Sequence, residues 1–344
     1  MGQRPFSKEL HELLEHSEIK KNNFMKTVFV TGINGLLGTN LVNLLLKSGF
    51  RVKGLVRNPE TYKGYENEHL SLICGTLFDD FTKVLSDVDY LVHIAAATSQ
   101  NILSEAYYWK INSNATKQLY QASIRCKVKK FIFVSTANTI GYGSIRNPGI
   151  EEAVLRNPFD ESIYAQSKKS AENYILVRNN KMETIVVNPT FMLGAYDTKP
   201  SSGKILLMAW KRKIVFYPPG GKNFVHVEDV AKGILTVIEK GRNKEKYLLS
   251  NDNLTYRDFF RRVNQVCQQR PLMIRVPKWI LIMVGYGGDA LRQLNVATSI
   301  SSVNMRILCI NNFYSNRKSK SELGIHYQST EKAIADAVNY FAAQ

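Results

Sequence analysis

The chain has 344 residues, of which 46 are Lys or Arg and 29 are Asp or Glu, so its formal net charge is +17. This length allows one large α/β domain with a smaller appendage. Apolar residues make up 44%, enough for a core, but no run reaches the roughly 20 apolar residues that span a bilayer. The composition therefore favours a globular protein and excludes one with a membrane-spanning helix.

Residues 1–24 precede the first strand-like segment. Within them, Ser7–Lys21 predicts a short amphipathic helix with a serine cap and leucines along one side. The run lacks the apolar centre of a signal peptide. We treat 1–24 as an N-terminal extension, which is either an accessory helix or a segment upstream of a true start at Met25.

From Lys26 onward, strand-like and helix-like segments alternate, which predicts a doubly wound parallel sheet. The strand segments are continuous apolar runs, as expected for strands that are covered on both faces. The predicted strands are Thr27–Thr31, Arg51–Val56, Leu70–Cys74, Tyr90–Ala95, Phe131–Ser135 and Thr184–Asn188. The predicted helices are Leu36–Lys47, a long one from about Ser104 to Cys126, and one that carries Tyr164.

The run Thr31–Gly38, TGINGLLG, lies between the first strand and the first helix. A glycine-rich turn in this place receives phosphates on the free N–H groups of the helix start. We expect Gly32 to permit the tight turn, Gly35 to let the backbone approach a pyrophosphate, and Gly38 to let the helix pack on the strand. The run predicts a dinucleotide site.

Arg57 follows the second strand, in LVRN. NAD enzymes usually place Asp or Glu there, which accepts a hydrogen bond from the ribose 2′-hydroxyl, whereas an arginine suits a 2′-phosphate. The position therefore favours NADP(H), while NAD(H) remains the alternative. In that alternative Arg57 is a surface residue and Asn58 bonds the ribose.

Tyr164 and Lys168, in YAQSK, lie four residues apart and therefore on one face of a helix. Thr136 or its neighbour Ser135 can donate to a substrate carbonyl and orient it toward Tyr164. We expect the Lys168 ammonium to lower the pKa of Tyr164 by on the order of two units from about 10, and Lys168 to hold the nicotinamide ribose. The pattern predicts a hydride-transfer enzyme in which Tyr164 moves the proton.

A second pair with the same spacing, Tyr314 and Lys318, lies far from any dinucleotide-type strand, so we expect it to be structural. Trp279–Gly287 is the most apolar run and predicts a packed amphipathic helix, with weak membrane-surface contact as the alternative. After Pro189, loop-rich segments are followed by Phe224–Lys240, which predicts a return to the sheet and a further helix.

We therefore predict an α/β fold, with a Rossmann-type doubly wound parallel sheet and a smaller, mostly helical C-terminal substrate lobe. The predicted dinucleotide-binding domain comprises 25–189 and 224–250. The predicted lobe comprises 190–223 and 251–344 and closes over the carboxyl ends of the strands, where ligands of open α/β sheets bind.

Several partner classes are disfavoured. The four cysteines, Cys74, Cys126, Cys267 and Cys309, and the six histidines lack metal-ligand spacing, so we expect no metal, no disulfide and a cytoplasmic protein. Basic clusters such as Lys211–Lys213 come without a nucleic-acid fold signature, so we expect a solvated basic surface and no nucleic-acid partner.

The ordered motifs from Met25 onward resemble the extended short-chain dehydrogenases/reductases, the NAD-dependent epimerase/dehydratase family. The matching segments are TGINGLLG, VHIAA (Val92–Ala96), INSNAT (Ile111–Thr116), VST (Val134–Thr136), YAQSK, NPTFMLG (Asn188–Gly194) and FVHVEDVA (Phe224–Ala231). Arg57 and the last two segments look most like the dihydroflavonol 4-reductase and 3β-hydroxysteroid dehydrogenase-like branch. The resemblance implies that Thr136, Tyr164 and Lys168 form the catalytic set, with NADP(H) as hydride carrier.

The resemblance also implies a set of cofactor contacts: Gly32, Asn34, Gly35, Leu36, Leu37, Gly38, Arg57, Thr76, Leu77, Ala95, Ala96, Ala97, Asn112, Tyr164, Lys168 and Pro189. The chain departs from its relatives at Thr76, where they often have an Asp that contacts adenine, and at Thr139-Ile140-Gly141, which replaces V-Y-G. By the same resemblance, a homodimer would form through the helices near 104–126 and 162–179.

We expect an NADP(H)-dependent oxidoreductase that interconverts a carbonyl and an alcohol on a small organic molecule. One alternative is a nucleotide-sugar epimerase with tightly bound NAD(P), although Lys222 stands where such enzymes commonly have arginine. A dehydratase is disfavoured because Ala137 and Asn138 follow Thr136 in place of an acid–base carboxylate pair. A third alternative is a non-catalytic NADP-binding protein.

Overall fold

The computed structural model describes residues 25–177 and 182–344. The predicted helix at Ser7–Lys21 lies outside the described residues. Within the described ranges, no helix has both the length and the apolar content needed to cross a bilayer. In the same ranges, no cluster of His, Cys, Asp or Glu side chains is arranged to hold a metal ion.

A seven-stranded parallel sheet forms the centre of the larger domain. Its strands are β1 (Thr27–Thr31), β2 (Arg51–Val56), β3 (Leu70–Cys74), β4 (Tyr90–His93), β5 (Lys130–Val134), β6 (Glu183–Pro189) and β10 (Lys246–Leu249). The strand order is β10-β6-β5-β4-β1-β2-β3, and each neighbouring pair is parallel. The order reverses between β1 and β4, which opens a crevice at their carboxyl ends. The predicted Rossmann-type sheet is confirmed.

Helices cover both faces of this sheet, as its continuous apolar strands require. They are α1 (Leu36–Lys47), α2 (Thr82–Leu85), α3 (Glu105–Tyr108), a π-helical segment (Trp109–Asn114), α4 (Ala115–Arg125), α5 (Ile163–Val177) and α7 (Val227–Lys240). One core joins α1 and α7 to the face that carries Val28. The other core joins α4 and α5 to the face that carries Phe29, because successive side chains of a strand point to opposite faces.

The sequence predicts a strand of the main sheet at Phe224, and this prediction is wrong. Phe224 lies in β9 (Gly221–His226), which pairs with β7 (Phe191–Leu193), β11 (Asp252–Thr255) and β13 (Asn311–Asn312) in a separate four-stranded sheet. The Phe224 ring stacks on Phe259 at 4.1 Å between centroids, inside the core of the lobe. That packing holds β9 in the lobe, and β10 takes the edge position of the main sheet.

The lobe also contains a two-stranded ribbon and most of the remaining helices. These elements are β8 (Ile214–Tyr217) paired with β12 (Leu272–Arg275), and α6 (Lys204–Leu207), α8 (Tyr256–Val266), α9 (Lys278–Gln293), α10 (Ser302–Leu308), α11 (Arg317–Leu323) and α12 (Thr330–Ala342). Although α11 falls within the predicted lobe, it packs on α7 and β10, with Leu323 in the core of the main sheet. The domain boundaries stay a prediction.

His93, at the carboxyl end of β4, is a buried link between the sheet and α4. Its Nδ1 accepts a hydrogen bond from the Thr31 hydroxyl at 2.8 Å. Thr116 donates its own proton to the Asn112 carbonyl, so His93 Nε2 donates to Thr116 Oγ1, at 2.9 Å. Thr31 Oγ1 also accepts the Ala95 N–H. The neutral imidazole is thereby fully bonded, and it fixes the strand end beside the glycine turn.

We expect acid to destabilise the fold through His93. Burial lowers the pKa of His93 to about 3, whereas the unfolded chain has a pKa of about 6.5. Between these values the unfolded state binds a proton that the folded state excludes, so the free energy of unfolding falls as the pH falls through the window. Urea unfolding between pH about 6.5 and about 5, where carboxylates stay ionised, measures this slope.

The matched variants for that slope are His93→Gln and His326→Gln, the latter at an exposed position. We expect the slope to flatten in His93→Gln and to persist in His326→Gln. An unchanged slope in His93→Gln would contradict the assignment.

Candidate active site

A cleft of about 1500 Å³ runs along the carboxyl ends of the central strands. It is lined by the loops that follow strands β1 to β6 and, from the lobe, by β9 and α10. All of the predicted site residues except Asn112 line it, namely Gly32, Asn34, Gly35, Leu36, Leu37, Gly38, Arg57, Thr76, Leu77, Ala95, Ala96, Ala97, Thr136, Tyr164, Lys168 and Pro189.

Three glycines shape the turn between β1 and α1, each in different surroundings. Gly32 has a φ of +76°, and a Cβ there would lie 2.8 Å from the Ala95 nitrogen. A Cβ on Gly38 would lie 2.0 Å from the Gly32 carbonyl oxygen, so α1 closes on the turn only with a glycine there. A Cβ on Gly35 would lie 3.6 Å from its nearest neighbour. The fold itself therefore leaves room at Gly35, and that room is available to a ligand.

The start of α1 fits a phosphate group. An α-helix leaves its first N–H groups without intrahelical partners. Among the described residues, no side chain forms a cap at Gly35, and the first turn carries no acidic residue. Asn34 anchors the turn by donating to Thr61 Oγ1 at 2.8 Å. The free N–H groups and the positive end of the helix dipole can therefore receive an anion.

Arg57 lies exposed at the carboxyl end of β2, on the wall of the cleft. Its neighbour Asn58 does not line the cleft, because the Asn58 Oδ1 accepts the Glu60 N–H at 3.0 Å and caps a short 3₁₀ turn. Farther along the wall, Thr76 donates its N–H and its hydroxyl to the Asp79 carboxylate at 3.0 and 2.7 Å. At the end of β2, the described residues thus offer a guanidinium to the cleft. None of the described lining residues at this strand end carries a carboxylate.

Asn112 does not line the cleft, and its role as a direct cofactor contact stays a prediction. It is 1% exposed within the π-helical segment. Its amide oxygen accepts the Ala97 N–H at 2.7 Å, and its amide nitrogen donates to the Ala97 carbonyl and the Ser167 hydroxyl, both at 3.1 Å. Asn112 therefore ties the loop after β4 to α5 and acts on the cleft through Ala97.

Thr136, Tyr164 and Lys168 meet in the cleft beyond the carboxyl end of β5. Tyr164 and Lys168 lie one turn apart on α5. The Thr136 side chain faces the Tyr164 phenol and lowers the pKa of that phenol, and it caps the following 3₁₀ turn by accepting the Asn138 N–H at 3.2 Å. Ser135 also lines the cleft, and its buried hydroxyl has no hydrogen-bond partner among the described residues. Both hydroxyls that the sequence offers are thus at the site.

Burial sets the proton affinities of this group. It raises the pKa of Tyr164 to about 12, although the hydrogen bond with Thr136 acts in the opposite direction. It lowers the pKa of Lys168 to about 7, against the opposing charge of Glu172. Lys168 Nζ donates to the Val134 carbonyl at 2.7 Å. The predicted lowering of the Tyr164 pKa by Lys168 is therefore wrong for this chain alone, because desolvation of the phenol dominates and the ammonium is bound to the backbone.

The sequence matches the NAD dependent epimerase/dehydratase family over residues 28–250. The chain belongs to this family. Its relatives include a Synechocystis sp. protein named "Putative dihydroflavonol 4-reductase", which is 26% identical over 91% of this chain and 94% of that protein. They also include sterol demethylase protein B of Methylococcus capsulatus, 25% identical over 92% of this chain and 98% of that protein.

Among solved structures, the crystal structure of gox2253 has a TM-score of 0.78 and is 27% identical, over 92% of this chain and 98% of that chain. The family match and these relatives confirm the predicted resemblance to the extended short-chain dehydrogenases/reductases and their dihydroflavonol 4-reductase-like branch. The chain is an NAD(P)-dependent enzyme of the extended short-chain dehydrogenase/reductase type.

In this member of the epimerase/dehydratase family, sequence reasoning missed Glu172. This carboxylate is fully buried one turn after Lys168 on α5. Its Oε1 accepts the Thr139 hydroxyl at 2.5 Å and the Asn188 amide at 2.7 Å. Asn188 also donates to the Thr136 carbonyl at 3.0 Å. Glu172 therefore fixes the backbone that carries Thr136 and places a carboxylate near Lys168. Its spacing of four residues from Lys168 is the feature of the sequence from which it could have been predicted.

The second Tyr-x-x-x-Lys pair is structural, as predicted. The Tyr314 hydroxyl donates to the Ala137 carbonyl at 2.9 Å, and Tyr314 is 2% exposed. Lys318 pairs with Glu245 at 2.6 Å. Although Tyr314 lies far from the strands in sequence, it packs against the Thr136 loop and lines the cleft. It supports the site from behind.

The cleft of this epimerase/dehydratase family member is electropositive. Its charged lining residues, among those described, are Arg57, Lys110, Lys168, Lys199, Lys204 and Lys222, against Asp197. Asp197 is engaged within its own loop, where it accepts the Ser201 and Gly203 N–H groups. Burial lowers the pKa of Lys222 to about 8. The net positive field favours an anionic dinucleotide or substrate.

Proposed function

We propose that the protein is an NADP(H)-dependent oxidoreductase that interconverts a carbonyl and an alcohol on a small organic molecule in the cytoplasm. The observation that carries the proposal is that the glycine turn, Arg57 and the Thr136–Tyr164 pair share one cleft. A relative named for dihydroflavonol reduction supports a carbonyl substrate. Apolar side chains such as Phe191, Met192 and Leu308 in the lining support an organic body.

Arg57 supports NADP(H) as the cofactor. A guanidinium can bind a 2′-phosphate through two hydrogen bonds, whereas NAD recognition usually relies on a carboxylate at this strand end. Asn58, the alternative ribose ligand, is already engaged with the Glu60 N–H. The turn from Gly32 to Gly38 would hold the pyrophosphate, and the nicotinamide, when bound, would supply or accept a hydride.

Tyr164 and Thr136 would act on the substrate oxygen. With a pKa of about 12, Tyr164 keeps its proton at neutral pH and can donate it as negative charge develops on the carbonyl oxygen. Thr136, which faces Tyr164 in the cleft, can hold the same oxygen in place. Lys168, one helical turn away, would stabilise the tyrosinate that remains after the proton has left. The charge of Glu172 would partly offset the effect of burial and so favour the protonated form of Lys168.

A nucleotide-sugar epimerase is the second candidate, because Lys222 supplies a cation, although not the usual arginine, on the lobe side of the cleft. Lys222 lies in the cleft with its Nζ 4.3 Å from the centre of the Phe191 ring. A half-buried cation at the lobe side of the cleft can bind a diphosphate as a point charge, although it lacks the two-pronged geometry of arginine. Such an enzyme would retain its NAD(P) between turnovers.

Fluorescence titration with NADPH and NADH tests the proposal. We expect NADPH to bind roughly tenfold or more tightly than NADH, and Arg57→Asp to abolish or reverse this preference because a carboxylate repels the 2′-phosphate. Arg146→Asp, at an exposed position outside the cleft, is the matched control and should keep the preference. A screen of ketones with NADPH then identifies the substrate. Tight NAD that survives purification and is indifferent to Arg57→Asp would contradict the proposal and favour the epimerase.

A further inference from the structure

The ribbon of β8 and β12 has one apolar face that lacks a cover. Leu272 pairs with Ile214, and Ile274 pairs with Phe216. Because side chains alternate along a strand, these four lie on one face, while Val215 and Met273 on the other face pack in the lobe core. The four side chains are between 37% and 62% exposed.

α9 begins three residues after β12 and carries a second set of exposed apolar side chains. Trp279, Met283 and Tyr286, at spacings of four and three residues, form one stripe and are 63%, 64% and 65% exposed. The opposite side of α9 closes on α10 through glycines, since a Cβ on Gly285 would lie 2.8 Å from the Ser302 Cα. The predicted packed amphipathic helix is therefore correct for one side only. We call the four ribbon residues and these three helix residues the apolar patch.

Cations are frequent in the two segments that carry the apolar patch. Residues 208–217 and 270–294, which contain the ribbon and α9, carry seven basic residues and one acidic residue: Lys211, Arg212, Lys213, Arg270, Arg275, Lys278 and Arg292, against Asp289. Asp289 is engaged, because its carboxylate accepts the Ser302 N–H at 3.1 Å. Arg292 donates to backbone carbonyls. The other six cations are exposed.

We propose that the apolar patch docks the protein onto an anionic membrane surface. Seven large apolar side chains left exposed on the ribbon and on α9, which a short loop joins, favour an interaction site. Trp and Tyr side chains settle at the level of lipid headgroups, apolar side chains insert below them, and nearby cations attract anionic headgroups. α9 has 16 residues, which suits a helix that lies on a bilayer and does not span it. A second copy of the chain fits less well, because a two-fold contact would bring the exposed cations of the two copies close to each other.

Co-sedimentation of the full chain with lipid vesicles tests the docking. We expect binding to vesicles of equal parts phosphatidylcholine and phosphatidylglycerol, and weak binding to phosphatidylcholine alone. Raising the salt from about 0.1 M to about 1 M shortens the Debye length from about 10 Å to about 3 Å and should release much of the bound protein. Tryptophan fluorescence should shift to shorter wavelength on binding, since Trp279 leaves water.

Two sets of variants separate the apolar and the charged contributions. Trp279→Gln with Met283→Gln should lower the partition coefficient roughly tenfold or more. Its matched control is Ile145→Gln with Val154→Gln, two exposed apolar residues elsewhere. Replacing Lys211, Lys213 and Lys278 by Gln should lower the partition coefficient about fivefold for each cation removed. Replacing Lys240, Arg317 and Lys320 by Gln should change the partition coefficient little, because these residues are exposed outside the patch. NADPH binding checks that each variant is folded.

Three results would overturn the proposal. In the first, the wild type fails to bind anionic vesicles. In the second, the patch variants bind as the wild type does, or no more weakly than the control variants. In the third, sedimentation velocity shows a wild-type dimer that Trp279→Gln with Met283→Gln converts to a monomer, without vesicle binding by either; a second copy of the chain would then be the occupant of the patch.

Discussion

We expect Tyr164→Phe to lower kcat for carbonyl reduction by a factor of about 10² to 10⁴, the usual contribution of a positioned proton donor. The variant keeps the ring and loses only the hydroxyl, which faces Thr136. Because phenylalanine fills the same space, NADPH affinity should stay within about twofold of the wild type. The measurement is steady-state kinetics with the ketone that the substrate screen identifies, together with NADPH titration.

Tyr314→Phe is the matched control, since the same hydroxyl is removed from a tyrosine in the same cleft. The Tyr314 hydroxyl donates to the Ala137 carbonyl, so its loss should cost about 0.5–1.5 kcal/mol of stability and change kcat by less than about tenfold. A Tyr164→Phe enzyme with near wild-type kcat would remove Tyr164 from the role of proton donor. Equal losses in both variants would show that the effect is one of packing.

The elements that could be predicted from the sequence are those with a strong local signal. Strands buried on both faces carry uninterrupted apolar runs, so segments such as Thr27–Thr31 were located to within a residue or two. The glycine turn could be predicted because its three glycines lie between a strand and a helix. β10 (Lys246–Leu249) was missed because its apolar run has only three residues and follows three charged ones, Lys244 to Lys246. β9 was given the wrong partner because pairing depends on residues distant in the chain.

The site residues could be located from the sequence, but their proton affinities could not. Tyr164 and Lys168 are four residues apart in any helix, and spacing alone suggests that the ammonium lowers the pKa of the phenol. The structure instead gives burial the larger effect on both groups. The burial of Tyr164 and Lys168 depends on β5 and on the loop after it. The sequence around Tyr164 does not predict how these segments pack. The exposed side of α9 was hidden for the same reason, because an apolar run does not reveal whether anything covers it.

We expect Gly38→Ala and Gly35→Ala to separate the needs of the fold from the needs of the cofactor. A methyl group on Gly38 would lie 2.0 Å from the Gly32 oxygen and 2.7 Å from the Ile33 Cα. Both are backbone atoms, so α1 must move away from the turn. The cost should be about 1–3 kcal/mol or more in the free energy of unfolding, measured with urea.

The same methyl group on Gly35 meets nothing closer than 3.6 Å, and the φ of −99° at this position is open to alanine. Gly35→Ala should therefore cost at most about 1 kcal/mol of stability. It should nevertheless weaken NADPH binding roughly tenfold or more, because the methyl group occupies the space through which the backbone approaches the pyrophosphate. If Gly35→Ala bound NADPH as tightly as the wild type, the room at Gly35 would not be used by the cofactor, and the phosphates would have to lie elsewhere along the first turn of α1.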